Sequence, residues 1–203
     1  MKTNQYFINR IMRLSLFLFL HLVALGILLL VHPHAKAAGE WLVEDVGSHV
    51  ITSVSGEVIH GDKLKFILNK KNCDEVGVFF TFMTTKAPDT IKSLEGTKIP
   101  IQINDLPTTG AAEVWIVKPF LKFGHLVLMS APGPKNLEKF TNALMVIYSR
   151  QNKFRIKLLN EDGFNPNKYF DLIENNWALD KFPEHIGKAY EICTGKPSKI
   201  LRS

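Results

Sequence analysis

The chain of 203 residues contains only two cysteines and none of the short motifs that mark common enzyme classes. It has no G-x-S-x-G nucleophile elbow, no Walker A phosphate loop and no glycine-rich dinucleotide fingerprint. Two cysteines are also too few for a structural zinc site built mainly from cysteine. We therefore predict no cofactor, and no motif indicates a catalytic residue.

Positive charge is scarcer in the body of the chain than the formal net charge of +6 implies. Lys2, Arg10, Arg13 and Lys36 all lie in the first 37 residues, which contain no acidic residue. The rest of the chain is close to neutral. Because a nucleic-acid-binding domain is expected to carry a clustered basic surface, the sequence predicts no nucleic-acid partner.

Residues 1–37 have the three parts of an export signal. A basic start is followed by an apolar run over residues 14–31, and Ala35 and Ala37 are small residues at the positions that signal peptidase reads. We predict a signal peptide cleaved after Ala37, which leaves residues 38–203 as a single exported globular domain, periplasmic or secreted. The alternative is an uncleaved inner-membrane anchor over residues 14–31, with the domain facing the periplasm, because about 18 residues is near the lower limit for crossing a bilayer.

Cys73 and Cys193 remain after cleavage, and an even number of cysteines in an oxidising compartment favours a disulfide. We predict one bond between them. Asp74 and Glu75 follow Cys73, and their negative charges disfavour a reactive thiolate at that position. The alternative is a pair of free thiols or a single reactive cysteine.

Residues 41–129 show short β-branched and aromatic runs separated by turn residues, a pattern typical of strands. Residues 76–83 have no polar face and predict a central strand. Residues 97–103 are predicted to form an edge strand, because Pro100 cannot donate a hydrogen bond to a sheet ladder. Residues 153–159 alternate basic and apolar side chains and predict a further strand with one solvated face.

Two helices are predicted in the second half of the chain. Apolar residues recur at helical spacing over residues 134–149, with Pro134 in the first turn, although residues 143–148 could instead form a strand. Residues 183–194 predict a C-terminal helix that stops at Gly195 and carries Cys193 on its apolar stripe. The expected fold class is α+β, mainly β: an antiparallel sheet or sandwich with the C-terminal helix, and a possible helix near 134–149, packed on it.

One arrangement of side chains suggests a metal site. If Ser55-Gly56 is a tight hairpin turn, His49 lies opposite Asp62 and His60 lies on the same face. Two imidazoles and a carboxylate are ligands suited to zinc or copper. His49, His60 and Asp62 are therefore candidate metal ligands, and the alternative interpretation is an ordinary polar hairpin face.

Two wider patterns have a functional and a structural interpretation. A basic stripe on strand 153–159, extended by Lys63 and Lys65 if their strand is a neighbour, could contact phosphate groups, but a half-buried strand needs a polar face in any case. Trp41, Trp115 and Trp177, with the phenylalanines, could line an apolar ligand cavity. Aromatic residues at strand spacing are more often core, and we interpret them so.

The C-terminal segment reads W-x-L-x-x-F and then I-x-x-A-Y-x-x-C. Together with the two cysteines, it resembles small periplasmic proteins of Gram-negative bacteria, a resemblance that implies no activity. The leading hypothesis is a non-enzymatic protein that contacts an unknown protein or envelope component, and the membrane only if the leader is retained. The alternatives are a metal-dependent hydrolase or metal-binding protein using His49, His60 and Asp62, and a small apolar-ligand carrier.

Overall fold

Nine antiparallel strands form one sheet in the part of the chain that the computed structural model describes, which is residues 39–58, 62–106, 109–120, 124–161 and 163–198. The order across the sheet is β1-β2-β3-β4-β7-β6-β5-β8-β9. The strands are β1 Trp41–Val46, β2 His49–Ser55, β3 Lys63–Asn69, β4 Asn72–Thr84, β5 Lys98–Ile103, β6 Thr109–Phe120, β7 Gly124–Ser130, β8 Lys153–Leu158 and β9 Glu174–Ala178. The helices are α1 Pro88–Lys92, α2 Leu137–Gln151 and α3 Phe182–Thr194, with a 3-10 turn at Pro166–Lys168. The predicted mainly β fold class with a C-terminal helix is confirmed.

Side-chain alternation gives the sheet two unlike faces. In β3, Leu64, Phe66 and Leu68 are fully buried, whereas Lys63 and Lys65 on the opposite face are half-buried. Successive residues of a strand point to opposite sides, so the local sequence assigns each residue to a face. We call the face that carries Phe66 the inner face and the opposite one the outer face. The hydrophobic core lies on the inner face.

The sheet curls until its first and last strands meet. Trp41 Nε1 donates a hydrogen bond to the Ala178 carbonyl at 3.2 Å, and the backbone N–H of Glu57 donates to the Asn176 carbonyl at 2.9 Å. These bonds join β1 and residues just after β2 to β9, whose other side pairs with β8. The right-handed twist of strands accumulates across a wide sheet and favours such curling. A core is thereby enclosed by a single sheet with helices packed on it.

Helix α2 confirms the predicted helix near 134–149 but begins later than expected. Asn136 is the N-cap, and its side-chain oxygen accepts a hydrogen bond from the Lys139 N–H at 3.0 Å. This cap satisfies a backbone N–H of the first turn that has no partner within the helix, and it fixes the start of the helix at Leu137. The predicted start at Pro134 is therefore wrong. The helix ends at Asn152, whose φ of 52° is left-handed, and the strand alternative for residues 143–148 is also wrong.

Helix α3 and the disulfide agree with the sequence-based prediction. The helix ends at Gly195, whose φ of 68° suits glycine because it has no Cβ to clash. Cys193 in its last turn is bonded to Cys73 of β4, with the two Cα atoms 5.9 Å apart and the two cysteines 120 positions apart in sequence. The bond ties the helix to the hairpin that connects β3 and β4.

The predicted edge position of β5 is wrong, because β5 lies between β6 and β8. Its pairing with β8 covers Ile101 to Ile103, and the Pro100 carbonyl accepts one further bond from the Leu159 N–H at 2.9 Å. Pro100 therefore sits at the end of that ladder, where its missing N–H interrupts no bond between the paired residues. Proline is tolerated inside a sheet at such a position.

The predicted tight hairpin at Ser55-Gly56 is wrong as well. Strand β2 pairs directly with β3, so that His49 lies opposite Asn69 and Ser55 lies opposite Lys63. After Ser55, the described residues Glu57, Val58 and Asp62 form hydrogen bonds with β9 rather than with β2. A tight turn and its register are selected only when both flanking segments pair with each other, and here residues 57–58 do not join the ladder.

The predicted leader, residues 1–37 with the apolar run 14–31, lies outside the described residues. Within the described ranges, no helix is long and apolar enough to cross a membrane. The described residues share one hydrophobic core, whose largest fully buried members are Trp177, Phe66, Phe80, Phe82, Phe170 and Phe182.

Candidate functional site

The three residues predicted as metal ligands are not brought together by β2. His49 begins the strand and contacts the hydroxyl of Ser48 at 2.9 Å, whereas Asp62 follows its other end. Six residues of extended chain separate His49 from Ser55, a span of roughly 20 Å. His60 lies outside the described residues. Within the described ranges there is no group of three His, Cys, Asp or Glu side chains positioned to hold an ion.

Asp62, the other described residue of the predicted metal site, is fully buried. Its Oδ2 accepts a hydrogen bond from Asn175 Nδ2 at 2.9 Å, while Oδ1 has no well-formed hydrogen bond to any described residue. Burial raises the pKa of the Asp62 carboxyl to about 7, and hydrogen bonds from Asn175 and the Met83 backbone offset only part of this. The group lies where the two ends of the sheet meet.

The predicted basic stripe is divided by topology and by pairing. Strand β8 is separated from β3 by four strands, so its basic residues do not neighbour Lys63 and Lys65. Lys153 forms an ion pair with Glu57 at 2.7 Å, and Arg155 forms ion pairs with Asp105 and Glu174. Two of the three basic residues of β8, Lys153 and Arg155, therefore contact acidic groups of the same chain.

The aromatic residues divide between core and surface. Trp177 packs on Phe80 and Phe82 with ring centres 6.3 Å apart in each case, and Trp41 stacks on Phe66 at 6.1 Å. These contacts confirm the core interpretation for Trp41 and Trp177. For Trp115 that interpretation is wrong, because 54% of this residue is exposed.

Trp115 borders a groove of about 450 Å³ on the outer face. The floor of the groove is formed by β3 and β4, one wall by β6 and the other by the segment after β7. Volumes of several hundred Å³ are typical of sites that accept a small ligand or a few side chains. The lining residues are His49, Ile67, Asn69, Glu75, Val76, Gly77, Val78, Phe79, Glu113, Trp115, Ser130, Ala131, Pro132, Gly133, Pro134 and Lys135.

Trp115 lies at a β-bulge on the outer face. In the ladder between β6 and β7, Val114 pairs with Met129 and Ile116 with Leu128, so that Trp115 is the extra residue. A bulge changes which residues face the core: Val114 is buried before it and Val117 after it. Bulges of this kind re-aim side chains and are frequent beside functional sites.

Phe79 supports the Trp115 ring from below. The two rings meet edge to face, with centres 5.2 Å apart and an interplanar angle of 88°. The Phe79 ring lies along its own strand over Gly77, where a Cβ would come within 2.9 Å of Phe79 Cε2. Glycine at position 77 therefore makes room for the ring, and the ring in turn holds the indole in place.

The opposite wall of the groove is held to the sheet by backbone bonds. The Ala131 N–H donates to the Val78 carbonyl at 2.9 Å, and the Val76 N–H donates to the Lys135 carbonyl at 2.8 Å. Pro132 packs so closely over Gly110 that a Cβ there would lie 2.8 Å from the proline ring. The groove is thus formed in the free protein, which lowers the entropy cost of binding.

The charged groups at and beside the groove are of both signs, since Lys98 of β5 is the cross-strand partner of Glu113. Glu75 and Glu113 are exposed, and neither forms an ion pair with any described residue. Lys135 stands on the far wall. On the other side of Phe79, away from β6, Lys65 is its cross-strand partner, and burial together with the charge of Lys63 lowers the Lys65 pKa.

Sequence reasoning missed the groove because no single residue type marks it. One local signal was available: Glu113 and Trp115 are two residues apart in a strand and share a face, so the charged residue indicates an outward direction for the tryptophan. The wall that follows β7 carried no such signal.

Comparisons of the chain with protein-family models, with curated proteins and with solved structures find no match. The function is therefore inferred from the residues of the groove and from the leader.

Proposed function

We propose that this chain is an exported, non-enzymatic binding protein of the cell envelope and that it recognises its partner through the outer-face groove. The observation that carries the proposal is the exposed Trp115 ring, presented by a β-bulge and supported by Phe79. Tryptophan is enriched at the energetic centres of interfaces because it offers a large apolar area with little conformational entropy to lose. An exposed tryptophan above a preformed groove fits that role.

The leader and the disulfide support an extracytoplasmic location. A bond between Cys73 and Cys193 persists in an oxidising compartment, such as the periplasm or the exterior. We therefore propose that residues 38–203 act there after cleavage of the leader, with retention of residues 14–31 as an inner-membrane anchor as the alternative. Either form places the groove on the same side of the membrane.

Photo-crosslinking in the cells that make the protein tests the proposal. A photoreactive benzoylphenylalanine replaces Lys135 on the groove wall, and in a matched variant it replaces Val146, which is exposed on helix α2 outside the groove lining. We expect a defined adduct with an envelope component from position 135 and none from position 146. Adding Trp115→Ala should abolish the adduct without lowering the amount of exported protein.

Three outcomes contradict the proposal. One is the absence of an adduct at position 135, another is the same adduct from both positions, and the third is an adduct at 135 that is indifferent to Trp115→Ala. The amount of folded protein is checked by resistance to protease, because a variant that fails to fold would lose the adduct for a trivial reason. Ser130, on the same groove, provides a second position for the photoreactive group.

A further inference from the structure

The outer face of the four central strands, β3, β4, β7 and β6, carries apolar side chains that helices α2 and α3 do not cover. Both helices pack on the inner face, where Phe140 and Phe182 each contact the Phe66 ring. Partly exposed apolar residues of the outer face are paired across the strands: Met83 with Leu126, and Leu128 with Ile116. Exposed apolar surface that continues across several strands marks a contact surface.

Three lysines, Lys63, Lys65 and Lys118, surround this apolar surface, and we call them the outer lysines. The first two are successive outer residues of β3, and Lys118 lies on the same face of β6, where it is paired with Leu126. None of the three forms an ion pair within the described ranges. Burial lowers the pKa of Lys65 most, the charges of Lys63 and Lys118 lower it further, and Glu44 offsets part of the effect. Both neighbouring lysines are therefore close enough to repel the Lys65 ammonium group.

The other charges of the outer face do not neutralise the outer lysines. Lys98 of β5 is the cross-strand partner of Glu113, and Lys135 lines the groove that Glu75 also lines. Each of these glutamates thus has a lysine nearby, and the two pairs cancel. Glu44 of β1 is one carboxylate against three ammonium groups. An excess of positive charge therefore lies over the middle of the outer face.

The spacing of the outer lysines suits a surface with many negative charges better than one small anion. The backbones of β3 and β6 are separated by three strand spacings, about 14 Å, which is wider than a single phosphate group. Sites for single phosphate groups are commonly built from free backbone N–H groups. In these central strands the N–H groups are used in the sheet ladders. A lone ion would therefore gain few contacts here.

The apolar residues between the outer lysines favour a lipid bilayer over a hydrophilic polyanion. Lysine stems lie along apolar surface while their ammonium groups reach phosphates, and tryptophan is enriched at the level of lipid headgroups. Trp115, which is 54% exposed, lies on this face. A hydrophilic polyanion gains nothing from covering Leu128 and Ile116, whereas the boundary between headgroups and acyl chains accepts apolar side chains.

We propose that the outer face of β3, β4, β7 and β6 binds the surface of a bilayer that contains anionic phospholipids. The outer lysines contact phosphate groups, while Leu128, Ile116 and Trp115 approach the boundary between headgroups and acyl chains. This membrane contact goes beyond the proposed function, because none of the outer lysines lines the groove. The competing occupants are a free phosphate, an acidic protein and a second copy of this chain.

Co-sedimentation of the purified exported protein with lipid vesicles tests binding. We expect binding to vesicles of phosphatidylglycerol mixed with phosphatidylcholine, weakened by added salt, and much weaker binding to phosphatidylcholine alone. Changing all three outer lysines to glutamine should lower the affinity for the anionic vesicles roughly a hundredfold, since each lysine near an anionic surface raises affinity about fivefold. A retained leader would bind both kinds of vesicle alike, so that it cannot produce this difference.

A matched control removes the same charge from the opposite side of the sheet. Lys139, Lys181 and Lys188 are exposed on or beside α2 and α3, and changing these three to glutamine should leave vesicle binding nearly unchanged. Changing the outer lysines to arginine should preserve binding, because the positive charge stays. Equal losses in the two glutamine variants overturn the proposal, and so does an arginine variant that resists protease but no longer binds.

Fluorescence of Trp115 reports whether this face meets the lipid. Trp41 and Trp177 are buried, so that acrylamide reaches mainly Trp115, whose signal is identified by difference with Trp115→Phe. We expect anionic vesicles to protect Trp115 from acrylamide and inorganic phosphate to give no protection. Protection by inorganic phosphate assigns the outer lysines to a small anion. Protection by soluble polyglutamate equal to that by vesicles assigns them to an acidic protein, and either result overturns the proposal.

The membrane contact and the proposed function can fail separately. Vesicle binding that does not depend on the outer lysines, together with a Trp115-dependent adduct at position 135, overturns the membrane contact and keeps the groove as an interface. Vesicle binding that depends on the outer lysines, without that adduct, does the reverse. A dimer in sedimentation that protects Trp115 without vesicles assigns the face to a second copy and overturns the membrane contact.

Discussion

Asn175 donates a hydrogen bond to Asp62 at 2.9 Å across 113 residues of sequence and joins β9 to the segment between β2 and β3. Asn175 Oδ1 accepts in turn from the backbone N–H of Val58 at 3.2 Å and of Asn176 at 2.8 Å. The buried amide thus has protein partners on both of its ends. The hydrogen bond between Asn175 and Asp62 links the two ends of the curled sheet, and Asp62 can ionise.

The stability of the protein should fall as pH rises from 3.8 to about 7. The pKa of Asp62 is raised from 3.8 in its ordinary state to about 7. Between these values the folded chain holds the proton and the unfolded chain has released it, so the free energy of unfolding decreases with pH over this range. Below this pH range Asp62 does not change the free energy of unfolding. Above the range, ionisation of Asp62 has lowered the free energy of unfolding by its full amount, about 4 kcal/mol. Urea unfolding at pH 4.5, 6 and 8 measures it.

Asp62→Asn should remove that dependence, because the neutral amide needs no proton and its oxygen can still accept from Asn175. At pH 8 the variant is expected to be more stable than the unaltered protein. Asp45→Asn is the control: Asp45 pairs with Lys70 at the surface, and such exposed pairs contribute under about 1 kcal/mol. If Asp45→Asn flattened the slope as much as Asp62→Asn, the assignment to Asp62 would be wrong.

The disulfide should account for a measurable part of the stability. Replacing Cys73 and Cys193 together by serine is expected to lower the free energy of unfolding by about 2–4 kcal/mol, since the bond closes a long loop in the unfolded chain. Reductant should have a similar effect on the unaltered protein and none on the double variant. A stability of the unaltered protein that does not respond to reductant would contradict the expectation.

Gly77→Ala should act on the groove through Phe79. The added Cβ would stand 2.9 Å from Phe79 Cε2, so the ring must turn and its contact with Trp115 changes. We expect a loss of stability of about 1–3 kcal/mol and an altered Trp115 fluorescence. In a protein that already carries Phe79→Leu, Gly77→Ala should lower the free energy of unfolding by less. A double-mutant cycle measures the difference between the two losses. Equal costs in both backgrounds would mean that Phe79 does not transmit the effect.

The two tryptophans at positions 115 and 177 should respond differently to truncation. Trp177→Ala empties a site between Phe80 and Phe82 and is expected to cost about 3–5 kcal/mol. Trp115→Ala removes an exposed ring whose aromatic contact is with Phe79, at a cost of no more than about 1.5 kcal/mol. Thermal unfolding of both variants makes the comparison. A large loss for Trp115→Ala would give this residue a structural role instead of a binding one.

Much of the local structure could be predicted from the sequence because its signals are local. The alternation in Lys153–Leu158 predicted a strand with Phe154, Ile156 and Leu158 inward, and all three are buried. Gly195 predicted the end of helix α3, since glycine accepts the left-handed conformation. Neither result depends on which strand lies next to which.

The position of each strand in the sheet could not be predicted in the same way. Pro100 was expected to mark an edge, but β5 lies inside the sheet because the proline falls at the end of the ladder with β8. A tight turn at Ser55-Gly56 was expected to place His49 opposite Asp62. Instead β2 pairs with β3, and His49 lies opposite Asn69. Backbone donors and acceptors are alike in every strand, so pairing is decided by the packing of the whole sheet.

Local patterns were enough to predict the inward residues of strand 153–159, the two longer helices and the pairing of Cys73 with Cys193, because strand alternation, helical periodicity and redox chemistry act on neighbouring residues or on residue type. Only the tertiary structure decided that Asp62 meets Asn175 at the closure of the sheet and that Trp115 stands over a groove. Both depend on segments far apart in the chain, and their meeting is selected by curling of the sheet and by a bulge, which no local pattern specifies.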